Sequence, residues 1–107
     1  MDFKVIFTET FCEDLEQIVR RLAEHNPEAA EKLGGRIVDS CESLLFFPER
    51  CPRVRRRPGF RRLIVAKTYK VFFRVDSRKK TVEVVRCWDG RRKSDPHVRE
   101  SHLPDEP

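Results

Sequence analysis

No apolar run in the 107 residues approaches the roughly 20 that a membrane-spanning helix needs, and no hydrophobic segment of the signal-peptide kind follows Met1. Neither membrane insertion nor export is expected, and the chain should be soluble and cytoplasmic. Cysteine is sparse and scattered: Cys12, Cys41, Cys51 and Cys87 form no C-x-x-C pair and no Cys/His cluster, which leaves a zinc site without support. Without a secretion signal the four read as reduced, partly buried thiols rather than disulfides. There is no Ser/His/Asp arrangement and no Gly-rich phosphate loop, and Glu9, Glu13 and Glu49 show no pairing that suggests a two-carboxylate enzyme. Internal repeats are absent. No cofactor and no metal is implied.

What the chain has in excess is positive charge. Charged residues make up 38% of it and the net charge is +5, a balance that favours acidic partners: nucleic acid, an anionic membrane or an acidic protein segment. The excess clusters in residues 50–62 and 86–93, whereas the first half mixes signs. Arg53-Val54-Arg55-Arg56-Arg57-Pro58-Gly59-Phe60-Arg61-Arg62 is the most basic stretch, and clustering of this kind points to a polyanion surface. The residues placed on that surface are Arg55, Arg56, Arg57, Arg61, Arg74, Arg86, Arg92 and Lys93. A chain of this length is one domain that buries roughly 65% of its unfolded surface.

Hydrophobic periodicity supplies the elements. Phe3, Val5 and Phe7 alternate with Lys4, Ile6 and Thr8, which predicts a first strand over residues 2–8. Thr10-Phe11-Cys12-Glu13 has the form of a capping box. Phe11, Leu15, Ile18 and Leu22, widened by Val19, then make the apolar stripe of a first helix. Asn26-Pro27 ends that helix and opens the next, with Asn as N-cap and Pro at N1. The second helix carries Ala30, Leu33, Ile37, Cys41 and Leu44 on one stripe; Gly34-Gly35 in its middle implies either close approach of the first helix or a kink. Leu45-Phe46-Phe47-Pro48 closes it.

Residues 49–59 read as a loop. Three strands follow, Gly59–Ala66, Tyr69–Val75 and Val82–Trp88, with a turn at Asp76-Ser77-Arg78-Lys79-Lys80. In the third strand Val71, Phe73 and Val75 alternate with Lys70, Phe72 and Arg74, so one face is buried and the other, carrying cations and a ring, is wet. The expected fold is α+β, an antiparallel sheet packed against an N-terminal helical hairpin in the order β-α-α-β-β-β. It forms a single domain over residues 1–93, with a polar, frayed tail over 94–107.

The chain resembles the RelE/ParE superfamily of bacterial toxins over most of residues 3–93. The likeness is carried by Arg62-Leu63-Ile64-Val65, by Tyr69-Lys70-Val71-Phe72-Phe73-Arg74-Val75-Asp76, and by Val82-Glu83-Val84-Val85-Arg86-Cys87-Trp88-Asp89-Gly90-Arg91-Arg92. It implies the toxin of a type II toxin–antitoxin pair, held inactive by a cognate antitoxin whose acidic or amphipathic segment wraps it. RelE-like members cleave messenger RNA, usually on the ribosome, by activating a ribose 2′-OH against the adjacent phosphate; ParE-like members poison DNA gyrase without that catalytic set. Carried onto this sequence, Arg61 or Arg62 supplies the cation of the second strand, with Arg62 preferred. Lys70 follows the third-strand tyrosine, Arg91 ends the fourth strand, and His97 stands where an acid/base group is expected. Leu63 and Ile64 occupy positions where a second lysine often stands. His97 is otherwise a solvated tail histidine, Arg91-Arg92-Lys93 a solubilising strand end, Tyr69 a packing residue, and Trp88 core or antitoxin interface. The leading expectation is messenger-RNA cleavage. The alternatives are a gyrase poison and a non-toxic basic module that binds nucleic acid.

Overall fold

The structure, a computed structural model, describes residues 2–91; Arg92, Lys93, His97 and the tail expected over residues 94–107 lie outside the described residues. In chain order the elements are β1 (Lys4–Phe7), α1 (Glu9–Ala23), α2 (Pro27–Glu42), two single-turn 3-10 segments (Ser43–Leu45 and Pro48–Arg50), β2 (Arg53–Val54), β3 (Arg57–Val65), β4 (Tyr69–Asp76) and β5 (Thr81–Asp89). No described helix is long and apolar enough to cross a membrane.

Helix α1 begins two residues before the expected box. Thr8, extended at φ −77° and ψ 159°, is the N-cap, and its hydroxyl accepts from Phe11 N at 3.2 Å. The same hydroxyl lies 3.0 Å from Val84 O, to which it donates, so one side chain ends β1, starts α1 and ties both to β5. Thr10 falls inside the first turn, where no capping geometry exists for it. The start of α2 is as expected: Asn26 Oδ1 accepts from Ala29 N at 3.0 Å and Pro27 occupies N1.

The two central glycines of α2 differ. A Cβ on Gly34 would stand 3.3 Å from Val19 Cγ2, so close approach of α1 explains that position. A Cβ on Gly35 would meet nothing within 4 Å. Gly35→Ala should therefore stabilise the fold by up to about 1 kcal/mol through helix propensity alone. Urea unfolding checks this: the midpoint should rise at unchanged slope, and a lower midpoint would contradict it.

The α+β class and the element order hold, with two additions. The sheet order is β1-β5-β4-β3-β2, and β1 joins β5 in parallel, with Val5 opposite Val82 and Phe7 opposite Val84, so the sheet is mixed. Residues 49–59 are not a plain loop. Arg53–Val54 pairs antiparallel with β3 through a two-residue turn at Arg55-Arg56. Alternation did not flag this strand because four of the five residues 53–57 are arginines and offer no apolar period.

The main core lies between the helices and one sheet face. Phe11 from α1 and Ile37 and Cys41 from α2 meet Val65, Tyr69, Val71, Phe73, Val82, Val84 and Cys87, all buried. A second, smaller cluster covers the other face: Phe60 and Val85, 0% and 2% exposed, pack with Val54 and Phe72. A bulge opposite Phe72/Phe73 turns Val85 to this side. The face expected to be wet is thus partly apolar. After α2, Phe46 and Phe47 are left 63% and 67% exposed on a turn whose carbonyls accept from Arg50 Nη1. At the β4–β5 turn, Asp76 Oδ1 accepts from the backbone N–H groups of Lys79 and Arg78, which hold its carboxyl below the usual range.

Candidate functional site

The basic residues are distributed over three places. Arg55 and Arg56 form the exposed tip of the β2–β3 hairpin, and Arg57 starts β3. Register places Arg62 opposite Phe72 and Lys70 opposite Ile64, and Phe73, Val71 and Tyr69 alternate onto the helix side. Arg62 and Lys70 therefore share the open face. Neither makes a side-chain hydrogen bond or ion pair among the described residues.

Other cations are engaged in holding the fold. Arg61 lies on the helix side, where its Nη1 donates to Cys51 O at 2.7 Å and Glu49 O at 3.2 Å, pinning the second 3-10 turn. Arg53 Nη1 donates to Pro58 O at 3.0 Å within the hairpin. Arg74 pairs with Glu83 at 2.6 Å across β4–β5 and stands 5.9 Å over the Phe60 ring. Arg86 reaches over the edge of β5 to Asp14 of α1, Nε to Oδ2 at 2.7 Å and Nη2 to Oδ1 at 3.2 Å. Asp14 Oδ2 also accepts from Cys87 N at 3.1 Å. It thereby caps the β5 edge where β1 has ended.

Arg91 sits on the opposite side of the sheet from Lys70. It follows the close contact at Gly90, whose N–H donates to Thr68 O at 2.9 Å and where a Cβ would lie 2.5 Å from that oxygen. Its Nε and Nη2 bind the two oxygens of Asp89 at 3.1 and 3.0 Å, and Nη2 also donates to the Tyr69 hydroxyl at 3.0 Å. The guanidinium carbon is 5.7 Å from the centre of the Tyr69 ring. The Asp89 hydrogen bond raises the already high pKa of Arg91. Burial lifts the Tyr69 phenol above its ordinary value, while Arg91 works against that rise. Tyr69 is thus a buried packing residue that also orients an arginine. It is not an exposed stacking platform.

These groups line a cleft of about 250 Å³ against α1, which contributes the half-buried Ile18 and Leu22 and the exposed Arg21, with the exposed His25 in the turn that follows it. Sequence reasoning singled out neither Arg21 nor His25, nor Asp14. The first two stand four positions apart across the end of α1, a spacing too common to signal a site, and Asp14 shows its role only through its contact with β5. The structure thus brings Arg62 and Lys70 together, sets Arg91 apart from them, and leaves His97, Arg92 and Lys93 outside the described residues. No group of three His, Cys, Asp or Glu suited to a metal occurs among the described residues. Burial pushes the Cys41 and Cys87 thiols up to about 12, which keeps them neutral and unreactive.

Solved structures of similar shape come from toxin–antitoxin systems. The chromosomal ParDE system of P. aeruginosa matches with a TM-score of 0.72 at 23% identity, covering 81% of this chain and 95% of that one. The toxin–antitoxin complex RelBE2 of Mycobacterium tuberculosis matches at 0.62 and 23% identity, covering 83% and 92%. An E. coli RelE toxin mutant in the free state matches at 0.58 and 16% identity, covering 88% and 90%. No curated protein matches the chain significantly. A family profile described as the ParE toxin of the type II toxin–antitoxin system parDE matches residues 5–94. With nearly all of its described residues inside that match, the chain belongs to the ParE toxin family of type II toxin–antitoxin systems.

Proposed function

We propose that this toxin acts in the cytoplasm as a binding protein that poisons DNA gyrase, and that a cognate antitoxin neutralises it. The observation that carries the reading is the division of the cations: Arg62 and Lys70 lie on the open face, whereas Arg91 is paired with Asp89 and seated on Tyr69 across the sheet. In-line cleavage of RNA needs its cations around one phosphate, close enough to stabilise charge as it develops. Two cations on one face and a third, already neutralised, on the other do not supply that. Leu63 and Ile64, where a second lysine would strengthen a ribonuclease, agree with it.

The ribonuclease reading keeps one observation in its favour, Arg62 and Lys70 on a shared face without a hydrogen-bond or ion-pair partner among the described residues. One experiment separates the two. The purified chain is added to a gyrase supercoiling reaction and, at the same doses, to a cell-free translation system in which message ends are mapped. The expected result is trapped gyrase–DNA cleavage complexes with intact messages. New message ends at inhibitory doses, reduced about a hundredfold or more by Lys70→Ala, would overturn the proposal in favour of RNA cleavage.

A further inference from the structure

The cleft between α1 and the ends of β4 and β5 has the chemistry of an anion site, and Arg91, set apart from Arg62 and Lys70, belongs to it. The apolar part is made by Ile18, Leu22 and the ring of Tyr69; Arg21, His25 and Arg91 stand around it. Among the described residues, two guanidinium charges against the Asp89 carboxylate leave one net positive charge before His25 is counted. Arg91 is prearranged, because Asp89 holds Nε and Nη2 and Tyr69 holds Nη2 from the other side, which leaves Nη1 directed to no partner among the described residues. The Tyr69 oxygen accepts from Arg91, so the phenolic hydrogen remains to be donated. Arg21 makes no hydrogen bond or ion pair among the described residues.

We propose that this cleft is the anchor site for a single acidic side chain, flanked by aliphatic residues, on an amphipathic segment of the antitoxin. Identifying the antitoxin as the carrier rests on the toxin reading; the carboxylate chemistry does not. Size favours one side chain, since about 250 Å³ lies below the roughly 300–1,000 Å³ of sites that enclose a whole small molecule. Charge favours a carboxylate, a single negative charge meeting a single positive one. A nucleic-acid backbone would bring further phosphates, yet among the described residues Arg55, Arg56 and Arg62 lie on the hairpin and the open face, away from this cleft. The apolar wall suits the methylenes of a Glu and an aliphatic side chain beside it.

The test is an NMR titration of the full chain with the peptide acetyl-Leu-Glu-Leu-amide, its glutamine analogue, and inorganic phosphate. The glutamate peptide should give saturable shifts at Arg21, His25 and Arg91, and the glutamine peptide should bind about tenfold or more weakly, the value of a charge-assisted hydrogen bond. Arg21→Gln should weaken the glutamate peptide by a similar factor without changing Tm. Arg91→Gln should do the same while also releasing the Tyr69 hydroxyl signal. Equal binding of the two peptides, tighter binding of phosphate, or shifts centred on Arg55 and Arg56 would each overturn the proposal, as would no saturable shift at all. None of these outcomes depends on gyrase, so failure here is separable from failure of the target assignment.

Discussion

Replacing Asp14 with alanine is expected to lower the unfolding free energy by about 3 kcal/mol, the lower end of what breaking a buried ion pair costs. Asp14 and Arg86 side chains are 15% and 21% exposed, so solvent screens the pair little but not negligibly. The carboxylate does two things at once. It holds the Arg86 guanidinium through two hydrogen bonds and accepts the Cys87 N–H at the β5 edge, which β1 does not cover. Alanine leaves that amide without its acceptor beside the neutral Cys87 thiol and removes an ionic tie between α1 and the sheet. Asp14→Asn keeps a carbonyl for the amide and loses the charge, so it should cost about half as much. Chemical unfolding of the two variants checks this, with Tm falling by about 12 °C or more for alanine. A loss under about 1 kcal/mol for Asp14→Ala would show that the pair is no more than a surface contact.

How much of this was legible beforehand depended on the kind of signal. Elements whose apolar residues repeat at 3.6 or 2 were readable: both helices, β4 and β5, and the Asn26-Pro27 junction, where local chemistry alone sets the boundary. Close approach, one of two readings of Gly34-Gly35, holds for Gly34 and not for Gly35, because a sequence shows a glycine without showing what faces it. Partnerships between distant segments were not readable. Nothing in Lys4-Val5-Ile6-Phe7 says that its neighbour is β5 or that the pairing is parallel. Thr8 was passed over for Thr10 because the capping box rewards a glutamate three residues on, whereas Thr8 is chosen by Val84, which lies 76 positions away.

The site was legible in composition and not in geometry. A count of arginines cannot tell Arg62, which has no hydrogen-bond or ion-pair partner among the described residues, from Arg61 one residue before it, whose guanidinium is spent on two backbone carbonyls. Strand alternation separates the two faces, and the carbonyls of Glu49 and Cys51 happen to lie on the helix side. In the same way Lys70 and Arg91, both carried over as members of one catalytic set, part company because β4 alternation sends Lys70 to the open face while Arg91 folds back under Tyr69. Family likeness transfers residue types along a chain; which carboxylate neutralises them is decided by local neighbours such as Asp89.

The other large effect expected is at Phe60. Its ring is 0% exposed, yet it lies outside the main core, in the small cluster with Val54, Val85 and Phe72 that covers the far side of the sheet. Phe60→Ala should cost about 3 kcal/mol, the low end for a buried phenylalanine, because a cluster this small can partly collapse into the cavity. The loss should also be local in a way that Phe73→Ala, in the main core, is not. Val54 is buried in the same cluster as Phe60 and Val85, and β2 is only two residues long, so its pairing with β3 depends on that cluster. Hydrogen exchange should therefore quicken at the β2–β3 hairpin well before global unfolding in Phe60→Ala, whereas Phe73→Ala should raise exchange evenly. Phe60→Leu, which refills most of the volume, should cost about 1.5 kcal/mol or less and restore hairpin protection. Unaltered hairpin exchange in Phe60→Ala would mean that β2 is held by Arg53 and its Pro58 contact instead of by the apolar cluster. The fixed presentation of Arg55 and Arg56 would then owe nothing to the ring beneath them.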